Sequence, residues 1–399
     1  MRRRRTALLI LFLISGLAMS SWATRTPDVR DTLHASTSEM GLILFGLSAG
    51  SMIGVLSSGR LVSRLGSRPI INSGALLTVL SLVVMGCGAL IAFAPLVAAG
   101  LFLFGVGMGG GEVANNVDGA DVERITGRTL LPTLHGFYSL GTVIGGCVGI
   151  LCTALRIPVY WHLFTAGAAT AALAIHACRS IPMGVGKTTT AAERDIGTTR
   201  PVWKDRRLLL IGGIILAMAL AEGSANDWLP LLMVDDHGLD ASLGSAVYTG
   251  FAAAMTIGRI GGGLIIDRIG RARTLRISAL SAALGLGLVI FVNSPVLAAI
   301  AVLLWGLGAS LGFPVALSAA GDSGPNPASR VSLAATIGYV SFLIGPPTLG
   351  FLGQHHGLST AMIVVLGFVT IAILLSPAAG THRSQPTAQE PETIPLTPR

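Results

Sequence analysis

Long apolar runs, broken by charge, proline or polar clusters, organise the whole chain. Twelve of them stand at 6–24, 39–59, 70–92, 95–117, 130–153, 158–178, 208–233, 243–266, 274–292, 295–319, 331–353 and 358–378. Each is close to the roughly 20 residues that a helix needs to cross a bilayer core. Backbone polar groups in lipid must be satisfied within the segment, so the runs predict α-helices. The expected fold is an all-α membrane protein: twelve transmembrane helices in two pseudo-symmetric six-helix bundles, residues 1–178 and 208–380. Between them, 179–207 carries Lys187, a threonine run, Glu193 and seven basic residues, and reads as a cytoplasmic linker. The Pro-, Thr- and Gln-rich stretch 381–399 reads as a disordered cytoplasmic tail.

Composition sharpens this. The 399 residues are 52% hydrophobic and 12% charged, half the charge of about 25% that clothes a soluble domain. A soluble enzyme, a disulfide scaffold and a disordered chain are thereby excluded. The 52 glycines suit closely packed membrane helices. A net charge of +8 raises nucleic acid as a partner, but the basic residues sit in short clusters between apolar runs. With the N-terminus in the cytoplasm, 24 of the 27 Lys and Arg fall on the inner side. Both termini are therefore expected in the cytoplasm, in the cell membrane, with lipid as the surround and no nucleic-acid partner. Residues 1–23 also fit a signal peptide, which would leave eleven helices. The cysteines, Cys87, Cys147, Cys152 and Cys178, lie inside apolar runs without metal-ligand spacing. No metal and no cofactor is expected.

The chain repeats at an offset of about 204. Gly46, Ala49, Ile53, Gly54, Gly59, Arg64 and Gly66 recur as Gly250, Ala253, Ile257, Gly258, Gly263, Arg268 and Gly270, seven identities in 21 positions without a gap. Gly105, Gly107 and Gly111 recur at an offset of 201 as Gly306, Gly308 and Gly312, and Trp22 recurs as Trp228. Two parallel halves of this kind place a binding site between them near the midplane. The stripes Gly46–Gly50–Gly54 and Gly250–Ala254–Gly258–Gly262 fit either sliding of the halves or static helix packing.

These features resemble the major facilitator superfamily, whose loop signature is G-x-L-x-D-R-x-G-R-R. The first copy here is Gly59, Leu61, Ser63, Arg64, Gly66, Arg68; the second is Gly263, Ile265, Asp267, Arg268, Gly270, Arg271. Ser63 departs from the usual aspartate. Asn116, Glu123, Arg124, Gly127, Arg128, Pro132, His135, Gly136 and Ser139–Leu140–Gly141 are similar to the YbjJ-like branch, near the fucose-permease-like sugar carriers. So are Trp22–Arg25–Pro27, Asp227–Trp228 and Gly345–Pro346–Pro347. Gly145–Gly146–Cys147 replaces the drug-exporter GP pair. The loop residues, with Glu123 before Arg128 and Asp322 before Arg330, form either a cytoplasmic latch of salt bridges or merely topogenic charges.

Ionisable groups at membrane depth mark function by default. Glu112, Asn115, Asn116, His135 and Tyr138 fall at similar depths in the first half and are candidates for a substrate and coupling cavity. Glu222, Asn226 and Tyr339 are the candidates in the second half, with Glu222 expected to carry the coupling proton. Trp22, Arg25, Asp227 and Trp228 form a candidate outer gate, with Arg25 facing Asp227; the two tryptophans fit interfacial anchors equally. Trp305 and Phe313 are expected to wall the cavity or face lipid. No nucleotide-binding loop and no catalytic constellation is present, so an enzyme is not expected. The expected function is a monomeric secondary active transporter of a small solute, working by alternating access and driven by protons. A multidrug or metabolite exporter is the alternative within the fold, and a non-transporting membrane receptor or sensor the alternative outside it.

Overall fold

A computed structural model describes residues 1–127, 130–187, 202–324 and 327–380. Thirteen α-helices carry these residues, with no strand among them. They are α1 (Arg2–Ala23), α2 (Thr26–Leu33), α3 (Thr37–Leu65), α4 (Ser67–Leu90), α5 (Ala94–Thr126), α6 (Leu131–Ala154), α7 (Val159–Cys178), α8 (Arg206–Asp235), α9 (Ala241–Ile269), α10 (Arg271–Phe291), α11 (Pro295–Gly321), α12 (Pro327–His356) and α13 (Leu358–Leu375). Among the described residues eleven are long and apolar enough to cross a membrane. The expected run at 158–178 forms α7, but His162 and His176 dilute its apolar character and it is not one of the eleven. The short helix α2 has no counterpart among the twelve runs. Residues 188–201 of the expected linker and all of the expected tail lie outside the described residues.

The helices outlast their apolar runs because a backbone ladder started in lipid continues at no loss into water. Thus α5 runs 33 residues, through Asp118 and Asp121, to Thr126. Local chemistry sets the ends. Ser36 and Glu39 make a reciprocal capping box at the start of α3, and Asp240 accepts from the Ser242 and Leu243 amides at the start of α9. Both helices are 29 residues long. Each ends on a glycine with positive φ, Gly66 at +90° and Gly270 at +78°, a conformation that a side chain disfavours.

The repeat extends to contacts. A Cβ built on Gly105 would collide with the Leu47 carbonyl oxygen, and one on Gly306 would stand 2.7 Å from that of Phe251. A Cβ on Gly107 would stand 2.8 Å from the Gly74 carbonyl oxygen, and one on Gly308 2.6 Å from that of Ser278. Backbones therefore touch at equivalent places in α3–α5 and α9–α11, and in α4–α5 and α10–α11. The glycine stripes belong to these seams: Gly50 faces Phe102 of α5 and Gly258 faces Ser310 of α11. Their role is static packing within a group.

Packing divides the bundle. Helix α1 lies on α6 and α7, and α4 on α5 and α7; α8 lies on α11, α12 and α13, and α10 on α11 and α13. The groups meet along α3–α12 and α6–α9. Helix α1 is an integral part of this packing, with Gly16 against the Tyr138 carbonyl and Gly141 against that of Leu13. Large aliphatic side chains such as Leu76, Leu284 and Leu374 are exposed on the exterior, a surface suited to lipid and not to water.

Candidate functional site

The polar links between the groups lie at one end, opposite the basic loops. The Thr37 amide donates to Gln354 Oε1 (2.9 Å), Ser245 Oγ donates to the Thr24 carbonyl (2.6 Å), and Arg30 pairs with Asp235. Gly41 presses on the Pro346 carbonyl, where a Cβ would stand 2.8 Å away. At the basic-loop end the groups stand apart. Nothing lies within 4 Å of a Cβ built on Gly59, Gly261 or Gly263. Arg64, Asp267 and Arg268 are exposed there, with no ion pair for them among the described residues. The interior is therefore open at the basic-loop end and closed at the other.

Into that interior project groups from both sides. Arg259 of α9 donates from Nη2 to Glu222 Oε1 of α8 at 2.8 Å. Glu112 of α5 lies within electrostatic reach of Arg259 and Glu222. Tyr138 of α6 lies within reach of all three, and His135 within reach of Arg259. Tyr339 of α12 is within reach of Glu112. The Tyr248 hydroxyl of α9 donates to Asn226 Oδ1 at 3.3 Å. Glu112 and Asn115 also line a narrow cleft between α1, α4 and α5, with Ser15 and Thr78. The Oδ1 atoms of Asn115 and Asn116 are buried without a protein partner; such atoms call for water or a solute. His135 packs its ring edge on Phe12, centroids 5.1 Å apart. Two carboxylates, one guanidinium and the phenols of Tyr138 and Tyr339 are thus linked electrostatically between the groups, with Tyr248 and the amide oxygens of Asn115 and Asn116 buried behind them.

Of the expected cavity residues the structure links Glu112, His135, Tyr138, Glu222 and Tyr339 electrostatically, and it adds Arg259 and, beside Asn226, Tyr248, which the sequence analysis missed. Arg259 was counted with the basic loops, yet it stands in the interior as the partner of Glu222. Its signal was present: it is the only basic residue inside the apolar run 243–266. Tyr248, in the same run, gave no signal beyond its hydroxyl.

The expected gate is corrected. Arg25 does not meet Asp227; its Nε pairs with Asp28 at 2.7 Å and its Nη2 donates to the Ile157 carbonyl at 2.6 Å. A carboxylate three residues away on the same chain wins over one on another helix. Trp22 and Trp228 are 1% and 0% exposed, core residues and not interfacial anchors. Trp305 is likewise fully buried, edge-on to Phe251, and neither walls the cavity nor faces lipid.

Of the expected latch residues, only Asp322 and Arg271 pair with each other among the described residues. Arg128 lies outside the described residues. Glu123 Oε1 accepts from the amides of Leu130 and Leu131 (2.9 Å for the latter) and so caps α6. Asp322 pairs with Arg271 at 2.5 Å, while Arg330 pairs with Asp205 at 2.7 Å. The buried ion pair at this end is one not expected. Arg4 Nε donates to Asp118 Oδ1 at 2.6 Å, Arg4 Nη1 to Asp121 at 2.9 Å, and Ser67 Oγ to Asp118 Oδ2 at 2.7 Å. The Ser67 amide also ties this joint to the Val185 carbonyl, at 2.7 Å.

The Major Facilitator Superfamily model matches residues 7–332 and 217–398. An uncharacterized MFS-type transporter of Yersinia pestis is 31% identical over 94% of both chains. An uncharacterized transporter of Sinorhizobium fredii is 29% identical over 92% of this chain and 95% of its own. Among solved structures, a D-xylose-proton symporter superposes with a TM-score of 0.75 at 16% identity, covering 94% of this chain and 96% of its own. A point mutant of the nucleoside transporter NupG superposes with 0.76 at 14% identity, covering 94% of this chain and 99% of its own.

Proposed function

Since the chain belongs to the major facilitator superfamily and is thus a multi-pass membrane transporter, we propose that it carries a small polar solute by alternating access, coupled to protons. In this reading α2 lies at the outer surface and the other twelve helices span the membrane as two six-helix halves. Both termini are cytoplasmic, as the basic loops require. The open end is then the cytoplasmic one, and the structure represents the inward-open state. Relatives of this fold include a D-xylose-proton symporter and a fucose:proton symporter, which favours a polyhydroxylated solute and proton drive.

One observation carries the reading: Glu112 of the first group lies within electrostatic reach of the Arg259–Glu222 pair of the second. Arg259 neutralises one carboxylate, not two. While the space is open to water, the second negative charge is solvated. Closure removes that water, and an unpaired charge in a dry interior costs several kcal/mol. The carrier therefore closes readily only when a proton, or a cationic solute, cancels the excess. Tyr138, Tyr248, Tyr339, Asn115, Asn116, Asn226 and His135 supply donors and acceptors for hydroxyl or amide groups of the solute. The exposed Arg64, Asp267 and Arg268 are positioned to form the latch when this end shuts.

The test is flux in proteoliposomes with an imposed pH gradient, screened with pentoses, hexoses, nucleosides and dicarboxylates. An inward proton gradient should drive uptake. Glu112→Gln should abolish driven uptake and keep solute exchange, because the neutral amide mimics the protonated acid permanently. Driven uptake by that variant at the wild-type rate would remove Glu112 from the coupling step.

A further inference from the structure

The first group neutralises the buried arginine at its basic-loop end, where Arg4 is held by Asp118 and Asp121. The second group does not repeat this. At the offset of 201, Ala319 stands where Asp118 stands, and Asp322, the counterpart of Asp121, goes to Arg271. Arginines at the starts of α8 and α10 turn instead to the chain just after α13. Arg207 Nε donates to the Ala378 carbonyl at 3.0 Å and its Nη2 to that of Gly380, while Arg276 Nε donates to Ser376 Oγ at 3.2 Å. A Cβ on Gly380 would stand 3.7 Å from Ala272 Cβ of α10. Three chain segments thus converge on residues 376–380, and no carboxylate comes with them. The stretches 206–221, 271–291 and 358–380 contain neither Asp nor Glu. Asp205, next to Arg206 in the chain, is committed to Arg330 and to the first amides of α8. Lys204, Arg206, Arg273 and Arg276 are exposed, with no ion pair for them among the described residues.

Beneath these cations the exterior turns aliphatic. Arg273, Arg276, Leu280 and Leu284 stand three to four residues apart on one face of α10, all exposed. Arg206 and Leu210 repeat this order on α8. Helix α13 packs against both α8 and α10 and exposes Ile371 and Leu374. Positive charge at the rim and an aliphatic flank below it match the two ends of a phospholipid. Trp203, in the turn before α8, is 60% exposed and carries Lys204 Nζ at 5.0 Å from its ring centroid. An exposed indole beside cations at the edge of an apolar surface suits the headgroup layer.

We propose that this rim of α8, α10 and α13 is a docking surface for an anionic phospholipid of the inner leaflet. The lipid phosphate accepts from Arg273, from Arg206 and from the guanidinium N–H groups of Arg276 that Ser376 does not use. Its acyl chains lie along Leu280, Leu284 and Leu374, and Trp203 flanks the headgroup. Charge complementarity selects the lipid: a zwitterionic headgroup brings its own ammonium and leaves the excess cations uncompensated, whereas an anionic one cancels part of the excess. Bound there, the lipid bridges the starts of α8 and α10 and stabilises the second group. Only the choice of leaflet rests on the reading that the basic-loop end is cytoplasmic.

The full chain is purified in a neutral detergent, and its Tm is followed as phosphatidylglycerol, phosphatidylcholine of the same acyl chains, or inorganic phosphate is added. Phosphatidylglycerol should raise Tm by several degrees in a saturable way, and phosphatidylcholine by much less. Arg273→Gln with Arg276→Gln should lose that gain. Arg60→Gln with Arg179→Gln, at two exposed positions of the first group, should keep it. Lys204→Gln with Arg206→Gln is read as the first pair is, should that pair fail to fold. Equal gains from the two lipids, the same gain from phosphate alone, an unchanged gain in the Arg273 and Arg276 variant, or equal losses in both groups overturns the proposal. No solute or gradient enters the measurement, so its failure leaves the transport reading standing.

Discussion

Removal of Asp118 tests how the basic-loop end of the first group is held. Asp118 is fully buried and accepts from Arg4 Nε at 2.6 Å and from Ser67 Oγ at 2.7 Å, while its own carbonyl accepts from Arg4 Nη2 at 3.2 Å. Breaking a buried pair from one side costs about 3–5 kcal/mol, because a desolvated charge is left behind. Here Asp121 still holds Arg4 Nη1 at 2.9 Å and is 17% exposed, which moderates the loss. Asp118→Asn should therefore cost about 2–3 kcal/mol. Arg4→Met should cost more, about 3–4 kcal/mol, since Asp118 then keeps only the Ser67 hydroxyl. The double variant removes both charges, and its cost should fall about 2 kcal/mol or more short of the sum of the singles. The assay is the apparent Tm of purified protein at a fixed heating rate, where each kcal/mol corresponds to roughly 2 °C for a chain of this size. Strict additivity of the two substitutions would show that Arg4 and Asp118 do not interact in the folded protein.

Gly308→Ala should lower Tm by several degrees, because its Cβ would collide with the Ala282 nitrogen and stand 2.6 Å from the Ser278 carbonyl oxygen, and overpacking costs about 1–3 kcal/mol. Gly287→Ala on α10, with nothing within 4 Å, should be neutral or raise Tm slightly; equal losses at both positions would refute the close-approach account. In a background freed of Cys87, Cys147, Cys152 and Cys178, Thr37→Cys with Gly353→Cys should form a disulfide, since a Cβ on Gly353 stands 3.3 Å from Thr37 Cγ2. Oxidation should stop flux and a reductant should restore it; full flux when oxidised would mean that the seam does not part. At Asp205, burial opposes ionisation, but the Arg330 guanidinium and the Leu208 and Arg207 amides outweigh it and hold the carboxyl below its ordinary 3.8. Its stabilisation is therefore present above the unfolded value and lost as pH falls through the lower folded one. The Tm difference between wild type and Asp205→Asn should be constant down to about pH 5 and shrink below about pH 4; a difference that grows on acidification would contradict the sign.

The helices were legible because lipid imposes a one-dimensional rule. A run of apolar side chains must carry its own backbone hydrogen bonds, so composition along the chain alone places α3 or α10. The repeat was legible for a related reason. Gly105 and Gly306, like Gly107 and Gly308, are fixed by backbone contacts that admit no Cβ, so a shared packing geometry leaves a shared residue. The depths of Glu112, His135 and Glu222 followed from helical rise.

Partnership was not legible, because it depends on rotation about each helix axis and on which helices touch. Glu222 read as a lone acid until α9 brought Arg259 to 2.8 Å from it. Arg25 and Asp227 share a level along the chain, but Arg25 is claimed by the neighbouring Asp28. Glu123, expected in a latch, is drawn to the free amides that start α6. The amino-acid order alone determined the helical, lipid-facing, duplicated character of this protein, since those follow from local hydropathy and spacing. Only the tertiary structure decided which end is closed and which charges face one another, because Coulomb and hydrogen-bond energies act over a few ångströms in space, whatever the separation in sequence.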